Sequence, residues 1–229
     1  MSRRSLEDAG ESFEVTLLEA ARPARSVLFS VGAGGNPERH LPLLASLAEQ
    51  GCSVVAPHFE RLLSPIPTQD ELLLRGRRLQ LALNALARPD VPVAGLGHSI
   101  GSAMLIALAG GRGWTFARQP LSIDRAPRIE RLALLAPATA FFQMPGALDA
   151  VRVPIRAWAG AADTVTPPAQ AEFLKSALGD RVSVNVCVIE EAGHFSFMNT
   201  LPPQVTDSIR DRQAFLTRLA SEVLEFVIG

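Results

Sequence analysis

The chain has 229 residues, 48% of them hydrophobic, and 22 Lys+Arg against 23 Asp+Glu leave a net charge of -1. That length fits one domain with a substantial core, the hydrophobicity excludes a disordered chain, and the missing basic excess argues against a nucleic-acid partner. Two cysteines are too few for a disulfide framework or a thiolate metal cluster, and both lie in apolar strand-like runs where buried, inert thiols are expected.

The opening MSRRSLEDAGESFEV carries basic residues with no apolar run behind them, unlike a secretory signal. No stretch is apolar for long enough to span a membrane, so a cytoplasmic chain without membrane contact is expected. Residues 1–11 are polar and expected to be loosely ordered. Phe13–Leu18 alternates apolar and polar residues, as an outer strand does. Ser26–Val31 is a continuous β-prone run leading into Gly32-Ala33-Gly34-Gly35-Asn36-Pro37. A helix is predicted from Pro37 to about Gln50, with Asn36 as cap. The glycine loop lacks the Lys-Ser/Thr of a phosphate loop and the spacing of a dinucleotide fingerprint. Its expected use is to present backbone amides to a reacting atom.

Cys52–Ala56 is the next strand, Ser64–Pro67 a proline-rich loop, and Thr68 to Glu71 a capping box ahead of a helix to about Ala87. After the strand and helix of Val91–Gly110, the stretch Gly111–Arg128 is expected to be a surface excursion. Strands at Ile129–Leu135, Val153–Ala159 and Val182–Ile189 follow, with a short connection at Pro137–Ala150 and helices at Pro168–Leu178 and Val205–Val227. Alternating strands and helices predict an α/β chain, a mostly parallel sheet covered on both faces, in one domain over 1–229. Ligands bind such sheets beyond the carboxyl ends of the strands. The loops after Val31, Leu96 and Ala159, and the one bearing His194, all leave such ends and should meet at one rim.

Val91–Gly110 holds the densest signal. A buried strand runs into Gly97-His98-Ser99-Ile100-Gly101, a G-x-S-x-G, and then into a helix ending at Gly110-Gly111. Between a strand and a helix this pattern makes a turn that lifts the serine clear of the sheet, with glycines where side chains would collide. The Ile100 amide is left free at a helix N-terminus. A serine hydroxyl needs a base, and a histidine base needs a carboxylate to fix its tautomer. Of the four histidines, His40 falls in a helix, where a surface place is the default. His58 follows a strand, and His98 is expected to point away from Ser99. His194, in a glycine-containing loop after the last strand, is free to reach the rim. Asp163 leaves the preceding strand at the same rim. The order Ser99, Asp163, His194 differs from those of chymotrypsin and subtilisin and is that of the α/β-hydrolases.

On these residues the chain resembles a small α/β-hydrolase-fold serine hydrolase, similar to compact carboxylesterases and dienelactone-hydrolase-like proteins. GHSIG at 97–101, GAADTVTP at 160–167 and AGHF at 192–195 carry the likeness. It implies a catalytic triad of Ser99, Asp163 and His194, with a backbone oxyanion hole from Ile100 and Ala33. Where many relatives have His-Gly this chain has Val31-Gly32, so Gly34 is an alternative donor to Ala33. Dienelactone hydrolases use cysteine where this chain has Ser99, which argues against carrying over their substrate. No metal or organic cofactor is implied. The expected activity is cleavage of a small-molecule carboxylic ester, with thioester hydrolysis or a non-catalytic binding role as alternatives. Gly34, Phe141, Phe142, Met144 and Phe195, with Phe197 and Met198 that also follow the histidine, are expected to line the substrate pocket, with simple core packing as the alternative.

Overall fold

The computed structural model describes all 229 residues. Its strands are β1 (Ser2–Asp8), β2 (Glu11–Leu18), β3 (Arg25–Ser30), β4 (Cys52–Pro57), β5 (Val93–His98), the two-residue β6 (Gly113–Trp114) and β7 (Pro120–Leu121), β8 (Ile129–Leu135), β9 (Ile155–Gly160) and β10 (Val184–Ile189). Its α-helices are α1 (Leu41–Glu49), α2 (Gln69–Leu86), α3 (Ile100–Leu108), α4 (Pro168–Leu178) and α5 (Arg212–Ile228). Eight strands make one sheet in the order β1-β2-β4-β3-β5-β8-β9-β10. The pairings from β4 through β10 are parallel, and the hairpin β1–β2 joins antiparallel.

Side chains of a strand alternate between faces, and here both faces are apolar. Along β8, Leu132 and Leu134 face one layer while Ala133 and Leu135 face the other. The first layer is closed by Leu72 and Leu79 of α2, the whole apolar run of α3, and Leu174 and Leu178 of α4. The second is closed by Leu43, Leu44 and Leu47 of α1 with Phe215, Leu219 and Val223 of α5. The fold is therefore the expected doubly covered α/β sheet. No helix is long and apolar enough to cross a membrane.

Four expectations need correction. Residues 2–8 are not loose: they pair with β2 along their whole length, through a turn in which Ala9 and Gly10 have φ of 52° and 88°, the left-handed geometry tight hairpins require. The buried Asp8 carboxylate anchors this hairpin by accepting hydrogen bonds from Arg77 and Arg78 of α2. The last helix begins at Arg212, not near residue 205, because Asp211 caps it by accepting from the Ala214 amide at 3.0 Å. The stretch 111–128 is not wholly surface: it carries the β6–β7 pair and buries Leu121 and Ala126. Cys52 is buried as expected, but Cys187 on the edge strand β10 is only partly covered.

Candidate active site

Four strand ends deliver the site. β5 runs straight into Ser99, whose φ and ψ of 56° and -126° lie in a region that non-glycine residues avoid. The turn persists because its neighbours leave no alternative. The Ser99 amide donates to Leu135 O at 2.9 Å and its carbonyl accepts from the Ser102 amide at 2.9 Å. A Cβ at Gly101 would stand 2.0 Å from Ser30 O, so α3 reaches the sheet only with glycine there. At Gly32, on the loop after β3, a Cβ would lie 3.3 Å from Ser99 Cβ, which places that loop directly against the serine.

His194, on the loop after β10, brings its Nε2 to 2.9 Å from Ser99 Oγ and its Nδ1 to 2.8 Å from Asp163 Oδ2. Asp163 follows β9 and is locally fixed: its Oδ1 accepts from the amides of Val165 and Thr166, both at 2.8 Å. Thr166 Oγ1 stands 2.8 Å from Asp163 Oδ2, 3.0 Å from Ala136 O and 3.0 Å from His194 Nδ1. Burial alone would raise the Asp163 carboxyl, but the hydrogen bond and charge of His194, with the amide and hydroxyl of Thr166, outweigh it and hold the acid below its ordinary value. An ionised carboxylate only accepts, so Nδ1 carries the imidazole proton and Nε2 presents its lone pair to the Ser99 hydroxyl.

The other histidines lie outside the serine–histidine–aspartate chain. His98 is fully buried, with Nε2 3.0 Å from His194 O. His40 is no surface residue: it has no exposure and packs between the rings of Phe29 and His98, centroids 5.0 and 5.1 Å away. Burial pushes its pKa down to about 3. His58 bonds Thr16 Oγ1 at 2.8 Å and is not part of the site.

A cavity of about 560 Å³ opens beside Ser99, with Ala33, Gly34 and Phe195 on its wall. Phe141, Phe142, Met144 and Phe197 are not on it. Phe141 and Phe142 are 4% and 1% exposed and belong to the core layer of α2, α3 and α4, Phe197 is buried in the layer of α1 and α5, and Met144 is half exposed on the outer surface. The chain after Ala140 turns inward as a short 3-10 turn, which takes the aromatics under the sheet rather than over the serine. Beside Met198 stand Leu62, Val165 and the Pro202-Pro203-Gln204 segment, with Arg39 and Arg61 supplying two positive charges. Arg61 and Pro202 carry no sequence pattern that marks them. No group of three His, Cys, Asp or Glu side chains is arranged to hold a metal ion.

The sheet order and its helix layers are those of the α/β-hydrolase fold. No family model matches the chain, and no curated protein matches its sequence. Solved structures do. An esterase from the Planctomycetes species Thermogutta terrifontis superposes with a TM-score of 0.69 at 14% identity, covering 99% of this chain and 92% of its own. An alpha-beta serine hydrolase homologue from Coxiella burnetii gives 0.61 at 14% identity over 99% and 97%. TT1662 from Thermus thermophilus gives 0.62 at 20% identity over 100% and 99%. At these identities the likeness is one of fold.

Proposed function

We propose that this chain is a serine hydrolase that cleaves small-molecule carboxylic esters through an acyl-enzyme on Ser99, with residues 1–229 forming one catalytic unit around the shared sheet. The observation that carries the reading is the unbroken Ser99–His194–Asp163 hydrogen-bonded chain, opening on a cavity of a size that suits small ligands. Ser99 Oγ attacks the ester carbonyl carbon while its proton passes to His194 Nε2. The carbonyl oxygen takes up the negative charge, and the amides of Ile100 and Ala33 stabilise it. Ile100 is the first residue of α3, where an amide has no acceptor within its own helix, and neither Ala33 nor Gly34 donates its amide to any protein acceptor. Each such donor contributes roughly 3–4 kcal/mol to barrier lowering. Collapse breaks the ester bond, and His194 returns the proton to the departing alcohol. Water then repeats the sequence: His194 takes its proton, the hydroxide adds to the acyl carbon, and Ser99 leaves with the proton while the acid is released. Asp163 stays ionised throughout and offsets the imidazolium charge.

Hydrolysis of p-nitrophenyl esters of graded chain length, beside matching thioesters, tests the reading. The wild type turns over at least one series. Ser99→Ala lowers kcat on the order of a million-fold, and Asp163→Asn by about ten-thousand-fold because it inverts the tautomer of His194. A folded wild type inert toward every ester and thioester points instead to a binding protein, and near-normal turnover by Ser99→Ala removes the assignment.

A further inference from the structure

Helix α2 carries an arginine to a place where no carboxylate hydrogen-bonds to it, Glu71 one turn earlier acting only through its charge. Arg75 is 2% exposed, and every hydrogen bond of its guanidinium goes to main-chain carbonyls. Nη1 donates to Val31 O at 3.3 Å and to Gly32 O at 3.1 Å, and Nη2 donates to Glu60 O at 3.0 Å. The group lies 4.8 Å from the centroid of the Phe59 ring. Burial lowers its pKa to about 10, which leaves it charged at neutral pH. A buried cation with no hydrogen-bonded counter-ion is costly, and an apolar side chain of similar volume would fill the space at less expense. Stability alone therefore does not explain an arginine here.

What Arg75 holds does explain it. Gly32 O belongs to the same peptide unit as the Ala33 amide. All peptide bonds are trans, and across a trans peptide the C=O and N–H point opposite ways. A carbonyl turned down onto Arg75 turns the Ala33 N–H away from it, and Ala33 lies on the cavity wall with Ser99. The Gly35 amide shares Gly32 O with Arg75 at 3.1 Å, and the neighbouring carbonyls are tied back as well: Ala33 O accepts from the Leu62 amide and Gly35 O from the Phe59 amide, each at 2.9 Å.

We propose that Arg75 is the positioning residue of the oxyanion loop: its planar fork fixes the Gly32–Ala33 peptide with the N–H toward the reacting oxygen, and its positive charge behind that peptide strengthens the donor. This rests on the reading of Ser99 as nucleophile and of the Ala33 amide as a donor. The role is met only as charge develops on the substrate, so it acts on kcat rather than on substrate binding.

Full-length Arg75→Gln and Arg75→Lys, measured beside wild type and Ser99→Ala on one p-nitrophenyl ester, test it. The glutamine variant loses kcat by about tenfold to a hundredfold, with KM within roughly threefold of wild type, and the lysine variant, keeping the charge, loses less. Affinity for a trifluoromethyl ketone, whose adduct with Ser99 carries the same oxyanion, falls in step with kcat. A merely structural arginine would shift the urea midpoint and leave that parallel untouched. Should the glutamine variant fail to fold, the lysine variant decides: a drop in kcat and ketone affinity at constant KM supports the role, and wild-type values overturn it. Turnover abolished in Ser99→Ala but undiminished in Arg75→Gln sinks the positioning role alone. Turnover surviving in Ser99→Ala sinks both.

Discussion

The ring of His98 and the main chain of His194 are joined: Nε2 lies 3.0 Å from the His194 carbonyl oxygen. A carbonyl only accepts, so Nε2 must carry the proton, and the residue before the serine thereby tethers the loop that bears the histidine. The two rings also pack, with centroids 5.1 Å apart. Replacing His98 by leucine keeps an apolar volume and removes the tether. It should lower kcat about tenfold by loosening the placement of His194, leave KM near its original value, and reduce stability by about 1 kcal/mol. Steady-state kinetics and urea unfolding of His98→Leu check this; an unchanged kcat would show that the loop holds itself.

Buried neutral histidines make the fold acid-sensitive. Burial lowers His40 to about 3, and burial followed by the charges of His40 and His194 holds His98 well below its ordinary value. In the unfolded chain both protonate near pH 6.5. Between that pH and about 3 the unfolded state thus binds more protons, so stability is complete above pH 6.5 and declines as the pH falls. Each histidine accounts for up to about 1.4 kcal/mol per pH unit. His40→Phe, seated beside the ring of Phe29, should therefore lose about 2 kcal/mol less than wild type between pH 6 and 4.5 in urea titrations. Equal losses would mean that His40 takes up its proton without unfolding.

The wall of the cavity makes a contrast that two substitutions expose. Phe142→Ala opens a hole in the core layer of α2, α3 and α4 and should cost about 3–5 kcal/mol while KM stays put. Met198→Ala, on the cavity wall, should raise KM for longer acyl chains with a smaller loss of stability. Chain-length profiles of both variants, set beside urea midpoints, distinguish them. A raised KM in Phe142→Ala would return that ring to the substrate pocket.

Local chemistry accounts for what could be recognised before any coordinates. The capping box at Thr68 and Glu71 forms with both of its hydrogen bonds, and α4 spans Pro168–Leu178 as anticipated, because proline at a first turn and apolar spacing act within a few residues. The closeness of Ser99, Asp163 and His194 follows from a general property of parallel sheets, that successive strands end at one rim. His40 escaped such reasoning because its burial depends on Phe29 and His98, which arrive from β3 and β5. The N-terminal strand escaped because Leu6 is its one apolar residue, leaving an edge that is polar in sequence. Arg61, Val165 and Pro202 meet at the cavity from three separate loops, and no short-range pattern records that meeting. Arg75 looks like one more charge on an amphipathic helix until the carbonyls beneath it are seen.

Intact-mass measurement after exposure to a fluorophosphonate tests the nucleophile without any assumption about substrate. One adduct per chain should form on wild type, map to the peptide containing Ser99, and vanish in Ser99→Ala, with slow labelling in His194→Ala for want of a base. A wild type that stays unmodified while folded, or a Ser99→Ala protein that gains the same mass at the same rate, would contradict the assignment of Ser99 outright.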